Sequence, residues 1–234
     1  MLREIGGAGQ AKLREAEVKV VGCGGLGGPA ALYLAAAGVG RIVLVDPDVV
    51  EDSNLQRQVQ FSEGDIGEGK VAALARRLRA MDGALEIVEA AGRFSGVGGA
   101  DVVLDGTDNF ATRFAVNAAC VKAGLPLVSG AVAGWSGQVG VFWGAGDVPC
   151  YRCFVPEIPP DAETCEAVGI VGAVAGLAGS VMTLEAVKLI TGAGEPLLGR
   201  LWLHDGLAGT SRVVSVPREP FCDLCGNRPQ RQRS

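Results

Sequence analysis

The chain carries one histidine, His204, among 234 residues. Chemistry that depends on a histidine general base therefore has a single candidate. That candidate falls in a late strand pattern, where a structural role is the simpler reading. An excess of basic residues is also missing: 21 Lys and Arg stand against 26 Asp and Glu, for a net charge of -5. A nucleic-acid-binding face needs clustered positive charge, so that class is excluded. Arg228, Arg231 and Arg233 form only a short basic tail, read as solvated. No apolar run opens the sequence, because Arg3, Glu4 and the glycines that follow interrupt it, which argues against a secretory signal. Internal repeats and low-complexity linkers are absent as well. Long uncharged runs are scarce, and only residues 167–184 reach the membrane-spanning threshold. They contain Gly172-xxx-Gly176, but they are rich in Gly and Ala and lead straight into Glu185 and Lys188. A helix buried against a sheet or a second subunit fits them better than a membrane span.

Apolar residues make up 48% of the chain, enough for a sizeable core. Seven cysteines without a secretion signal point to a reducing cytoplasm and to metal or catalytic use. Four of them form two CxxC pairs, Cys150/Cys153 and Cys222/Cys225. Two such knuckles held as a thiolate tetrad read as a closed structural Zn2+ site. An apolar helical stretch and a strand pair separate them, so a shared metal would clamp the last part of the chain to its middle. Cys23 and Cys120 read as small core residues.

Short β-branched runs at 18–21, 41–46, 84–90 and 101–105 alternate with helical patterns at 29–37, 68–81 and 110–123. Strand–helix alternation predicts a parallel sheet with crossover helices. A further strand is expected at 126–129. Strands at 138–143, 200–204 and 212–216 have no short helices between them, so the sheet should continue with antiparallel members. The fold class is therefore α/β, a Rossmann-like, mostly parallel sheet extended by antiparallel strands. One domain over residues 1–234 is expected, with 144–166 as an irregular crossing loop.

Gly22-x-Gly24-Gly25-x-Gly27 follows the first strand and opens a helix, the context of a phosphate-binding turn. Such glycines let backbone approach phosphate oxygens, and the helix N-terminus favours anions. Asp46 closes the second strand, where a carboxylate can accept from ribose hydroxyls. On these features the site binds an adenine nucleotide of unspecified kind. The polar segment 52–58 brings Asn54, Arg57 and Gln58 together, and Lys70 opens the third helical pattern. Arg57 and Lys70 together suit a triphosphate better than a dinucleotide's diphosphate. At the end of the fourth strand, Asp105 and Asp108 either face the ligand crevice or cap the next helix, and Asp108 is well placed in sequence to hold Mg2+.

With these residues in view, the chain resembles the ubiquitin-activating-enzyme-like adenylyltransferases of the ThiF, MoeB and HesA family. The resemblance rests on GQAKL at 9–13, VVGCGGLGGPAALYLAAAGVG at 20–40, VDPDVVEDSNLQRQ at 45–58, GKV at 69–71, DGTDN at 105–109, CYRC at 150–153, TCEAVGIVG at 164–172 and CDLC at 222–225. It spans nearly the whole chain. It implies a nucleotide-binding half over 18–130 and a carrier-binding half with a zinc clamp over 131–234. It also implies Mg2+ and ATP as ligands, and adenylylation of the C-terminal glycine of a ubiquitin-like sulfur-carrier protein. By the same resemblance Asn54, Arg57 and Lys70 contact phosphates, Asp46 the ribose and Asp108 the magnesium. No general base is required, since a terminal carboxylate is already ionised at neutral pH. Cys165 matches the family cysteine that in some members links covalently to the activated carrier, and it sits near a helix N-terminus, where thiol pKa falls. A homodimer and a separate sulfurtransferase partner are further expectations, and no nucleic acid or membrane partner is expected. The family also places an arginine-bearing RYxRQ segment upstream of Gly9-Gln10 that reaches a partner subunit's site. The residues ahead of Gly9 here do not match it, and Arg3 is the one arginine among them. Two competing classes are an NAD-dependent oxidoreductase on the same fold and a non-catalytic, zinc-stapled binding protein.

Overall fold

Alternation within the apolar runs builds a sheet buried on both faces. In β1 (Glu17–Val21), Val18 and Val20 join one core cluster while Val21 joins the other. In β2 (Arg41–Val45), Ile42 and Leu44 divide from Val43 and Val45 in the same way. A parallel strand covered by helices on both sides reads as a continuous β-branched run for this reason. The computed structural model describes residues 2–158 and 169–226.

β3 (Glu86–Ala90), β4 (Val102–Asp105) and β5 (Leu127–Ala133) complete the parallel part. β6 (Ser136–Phe142), β7 (Arg200–Asp205) and β8 (Thr210–Ser215) extend it antiparallel. The order across the eight strands is β3-β2-β1-β4-β5-β6-β7-β8. Each expected strand is found. β5 runs four residues past its expected end, because its tail pairs in a hairpin with the start of β6, Ala133 opposite Ser136.

Helices α2 (Gly27–Ala37), α3 (Lys70–Met81) and α4 (Phe110–Ala123) lie where the periodicity put them. The first helix, α1 (Gly6–Glu15), was not expected. It opens on glycines and buries only Gly9 and Leu13, so its apolar stripe is too thin to show in the pattern. A short α5 (Tyr151–Phe154) follows the first CxxC cysteine. The long apolar stretch becomes α6 (Gly172–Thr191), which packs against α1, α2, β5 and β6. Its mean hydropathy is 1.5 over a membrane-compatible length, and 44% of that window is buried within the fold.

Small residues let α6 lie against α2. A Cβ added at Gly179 would stand 2.6 Å from the Leu26 carbonyl oxygen, and one at Gly172 would stand 2.4 Å from that of Gln56. At Gly176 a Cβ meets nothing within 4 Å, so only the first glycine of Gly172-xxx-Gly176 marks a close approach. Two substitutions on one helix should therefore diverge in urea unfolding. Gly179→Val forces backbone apart and lowers stability by about 2–3 kcal/mol. Gly176→Ala raises it by up to about 1 kcal/mol through helix propensity.

Candidate nucleotide cleft and cysteine centre

The strand order turns back on itself between β1 and β4, where the sheet opens a crevice at the carboxyl ends of its strands. Gly22 leaves β1 with φ +85°. A Cβ there would lie 3.0 Å from the Gly106 carbonyl carbon, in the loop that follows β4. The two strand-end loops thus meet backbone to backbone, and only glycine serves on both sides. Gly27 packs even more tightly, since its Cβ would fall 1.8 Å from the Gly22 carbonyl oxygen.

A cavity of about 860 Å³ lies over this junction. Gly22, Gly24, Gly25, Asp46, Asn54, Arg57, Gln58, Lys70 and Asp108 all line it. Gly27 is not part of that lining. It closes the turn from behind, because the helix start must pass against the Gly22 carbonyl. Asp46 spends one carboxylate oxygen on the Cys23 N–H (2.7 Å) and the other on the Asp48 N–H (2.8 Å). It thereby pins the glycine turn to the end of β2. Burial raises its pKa above the usual carboxylate value, opposed by those two N–H groups and by Lys70. Lys70 is itself buried and pairs with Asp48 at 3.2 Å. Arg57 donates to the Ser53 carbonyl (3.0 Å), and Asn54 is buried in the capping turn that Glu51 begins. Gln58 leaves its buried Oε1 without a partner. Asp108 is exposed at the rim, while Asn109 caps α4 by accepting from the Thr112 N–H (2.9 Å). Asp105 is fully buried, and one of its oxygens accepts from both the N–H and the hydroxyl of Thr107.

Two residues that shape the cleft had no role in the sequence reading. Gln60 is buried and its Nε2 donates to the carbonyls of Cys23 (2.9 Å) and Gly24 (3.1 Å), holding the glycine turn from beneath. As a third glutamine in a polar loop it carried no distinguishing mark. Arg113, on the first turn of α4, is buried and lines the cavity. Its signal was present: Arg113 and Asn117 stand four apart on a helix face otherwise filled by Val116 and Cys120.

The four CxxC cysteines converge away from this cleft. Their Sγ atoms lie within 4.8 Å of one another, with Cys150–Cys222 at 3.7 Å and Cys153–Cys225 at 3.4 Å. A tetrahedral zinc with Zn–S bonds of roughly 2.3 Å sets its sulfurs about 3.8 Å apart, so the tetrad fits that ion. Burial drives the Cys150 thiol pKa up. At Cys222 burial also pushes up, but the N–H groups of Cys225 and Leu224 and the neighbouring thiols outweigh it and bring the pKa to about 7. Cys23 and Cys120 are buried with raised pKa values, burial being the main cause in each, and Cys120 reaches about 12. Cys165 lies outside the described residues, as do Arg228, Arg231 and Arg233. His204 stacks on Trp202 with its Nδ1 2.9 Å from the Ser211 hydroxyl, and it does not border the 860 Å³ cavity.

A glycine-turn crevice at the switch point of a mixed sheet, with a four-cysteine cluster drawn from two distant CxxC pairs, defines the class: an α/β protein with a Rossmann-like sheet. Comparison makes the class specific. The ThiF family pattern matches residues 1–226, and the chain belongs to that family. It is 41% identical over 241 residues to the sulfur carrier protein adenylyltransferase of Thermus thermophilus, covering 98% of this chain and 89% of that one. It is 41% identical over 232 residues to the sulfur carrier protein ThiS adenylyltransferase of Escherichia coli, covering 97% and 92%. Against the adenylyltransferase and sulfurtransferase MOCS3 of Mus musculus it is 46% identical over 239 residues, spanning 98% of this chain but only 52% of that protein. Among solved structures, E. coli MccB with ATP superposes with a TM-score of 0.81 at 27% identity, covering 94% of this chain and 68% of that one.

The glycine turn yields a test of its own. A Cβ at Gly28 would fall 2.1 Å from Gln60 Nε2, so Gly28→Ala should expel that amide and cost about 1–3 kcal/mol in urea unfolding. In a Gln60→Ala background the same change should cost under about 0.5 kcal/mol. Equal costs in the two backgrounds would show that Gln60 does not occupy that space.

Proposed function

We propose that this protein uses Mg-ATP to adenylylate the C-terminal glycine carboxylate of a ubiquitin-like sulfur-carrier protein, releasing pyrophosphate. The observation that carries the reading is the convergence of Asn54, Arg57, Gln58, Lys70 and Asp108 with the glycine turn on one cavity. The names of the Thermus and Escherichia coli relatives support the same reaction, and the MccB complex supports ATP as the nucleotide.

The reaction joins two anions, so charge neutralisation governs its rate. The glycine turn takes the phosphates at the start of α2, where backbone N–H groups and the helix dipole favour negative charge. Asp46 retains acceptor capacity beyond its two backbone bonds, and the ribose hydroxyls use it. Lys70 exchanges Asp48, whose side chain is 63% exposed, for a phosphate oxygen, and Arg57 converges on the same charge. Asp108 would hold Mg2+, which supplies further neutralisation between phosphates. The carrier's terminal carboxylate oxygen bonds to the α-phosphorus while the bond to the bridging oxygen breaks, and that electron pair leaves with pyrophosphate. No protein group has to remove a proton, in keeping with a lone histidine away from the cavity.

The tetrad of Cys150, Cys153, Cys222 and Cys225 would hold one Zn2+ as a structural clamp. A homodimer, a cytoplasmic setting, a separate sulfurtransferase partner and a covalent role for Cys165 complete the reading. An NAD-dependent oxidoreductase has no comparable support, since the named relatives are adenylyltransferases.

ATP–pyrophosphate exchange in the presence of a carrier ending in Gly-Gly tests the reaction, with AMP on the carrier read by intact mass. Lys70→Ala should lower exchange by at least about a hundredfold while leaving zinc content unchanged. Exchange at the wild-type rate would remove Lys70 from the phosphate site. Cys222→Ser should reduce zinc below one ion per chain by metal analysis and lower the melting temperature. A full zinc complement in that variant would rule out the shared tetrad.

A further inference from the structure

Asp108 sits at the rim of the cleft on a loop only four residues long between β4 and α4. Something must hold that loop still if its carboxylate is to meet a metal-bound phosphate in one place. Thr107, its neighbour, is gripped on every polar atom. Asp105 takes its N–H (3.0 Å) and its hydroxyl (2.7 Å), and the Arg113 guanidinium donates to its carbonyl. In a trans peptide the C=O and the following N–H point in opposite directions, so this grip also fixes the Asp108 N–H.

Arg113 is anchored on its other side to β5. Its Nη2 also donates to the Gly130 carbonyl (2.9 Å), and its Nη1 to the Ser129 hydroxyl (3.2 Å). These described acceptors are all neutral oxygens. A buried guanidinium without a carboxylate partner is a costly arrangement, and forked geometry that bridges two strand ends is what it gives in return. A third element closes on the same group. The Tyr151 N–H is held by Asn117 Oδ1 at 2.9 Å, one turn beyond Arg113, and Tyr151 directly follows Cys150. Burial pushes the Tyr151 hydroxyl up, against the pull of the Arg113 cation beside it.

We infer that Arg113 is a positioning residue: by tying the Thr107 carbonyl to β5 it fixes the loop that carries Asp108, and so sets how strongly Mg2+ enhances nucleotide binding. The inference rests on the reading of Asp108 as the magnesium-facing carboxylate. Lysine keeps the charge at this position but has a single side-chain nitrogen, so it cannot hold the Thr107 and Gly130 carbonyls through one nitrogen while a second reaches the Ser129 hydroxyl.

Binding of the non-hydrolysable α,β-methylene analogue of ATP, measured by calorimetry with Mg2+ and again with EDTA, separates the possibilities. The readout is the ratio of the two dissociation constants. In the wild type Mg2+ should strengthen binding. Arg113→Lys should shrink that enhancement by about tenfold while the EDTA value stays within about twofold. In Asp108→Asn the enhancement should vanish, and the double variant should bind no more weakly than Asp108→Asn alone, because the two residues act through one contact. A general loss of folding would weaken binding in EDTA as well. An unchanged Mg2+ enhancement in Arg113→Lys, or losses that multiply in the double variant, would overturn the inference and leave the proposed reaction intact. If the wild type binds the analogue with no Mg2+ enhancement, both fail. Should Arg113→Lys prove too unstable to assay, Ser129→Ala loosens only the Nη1 contact. It should reduce the enhancement by about two- to threefold, and no change there would equally overturn the assignment.

Discussion

Two backbone segments packed too closely to admit side chains between them organise this molecule. The turn leaving β1 and the loop leaving β4 press together through Gly22, Gly27 and Gly106, at distances that no side chain tolerates. The sheet order reverses at that junction, and the crevice opens there. Several buried polar groups around the cavity bond directly to these segments. Asp46 bonds into the turn from β2, Gln60 supports it from below, and Asp105 and Arg113 hold the opposing loop. The glycines supply access, and the buried polar side chains around them supply rigidity.

The electrostatics follow from the same packing. Lys70 and Arg113 are buried cations bordering one cavity, which the half-buried Arg57 also lines. The cavity lining sets four cations, Arg57, Lys70, Arg93 and Arg113, against four carboxylates, Asp46, Asp48, Glu51 and Asp108. Lys70 has an exposed carboxylate as its ion-pair partner, whereas Arg113 is locked by carbonyls. One cation is free to exchange partners and the other is not, which suits the division between binding a ligand and holding a frame.

Much of this was legible in the residues. Parallel strands buried on both faces write themselves as β-branched runs, and Gly22-x-Gly24 between a strand and a helix marks a tight turn, which Gly22 makes at φ +85°. The CxxC spacing announced a tetrad whose four sulfurs do come together. What escaped the reading shares a cause. α1 escaped because glycine begins it and two buried residues are a weak periodic signal. Gln60 and Arg113 escaped because their work lies in tertiary hydrogen bonds to main-chain oxygens, which leave no pattern along the sequence. The need for glycine at position 27 also lies in a tertiary contact, since a side chain there would meet the Gly22 carbonyl.

The cysteine tetrad joins positions 72 residues apart in the chain, Cys150 with Cys222 and Cys153 with Cys225. A ribosome delivers the nucleotide crevice and the first knuckle long before it delivers the second. During synthesis the early strands can therefore assemble while two thiols wait without partners, and the cage closes only once residue 225 has emerged. Translation that stops short of that point leaves the first cysteine pair without its counterpart.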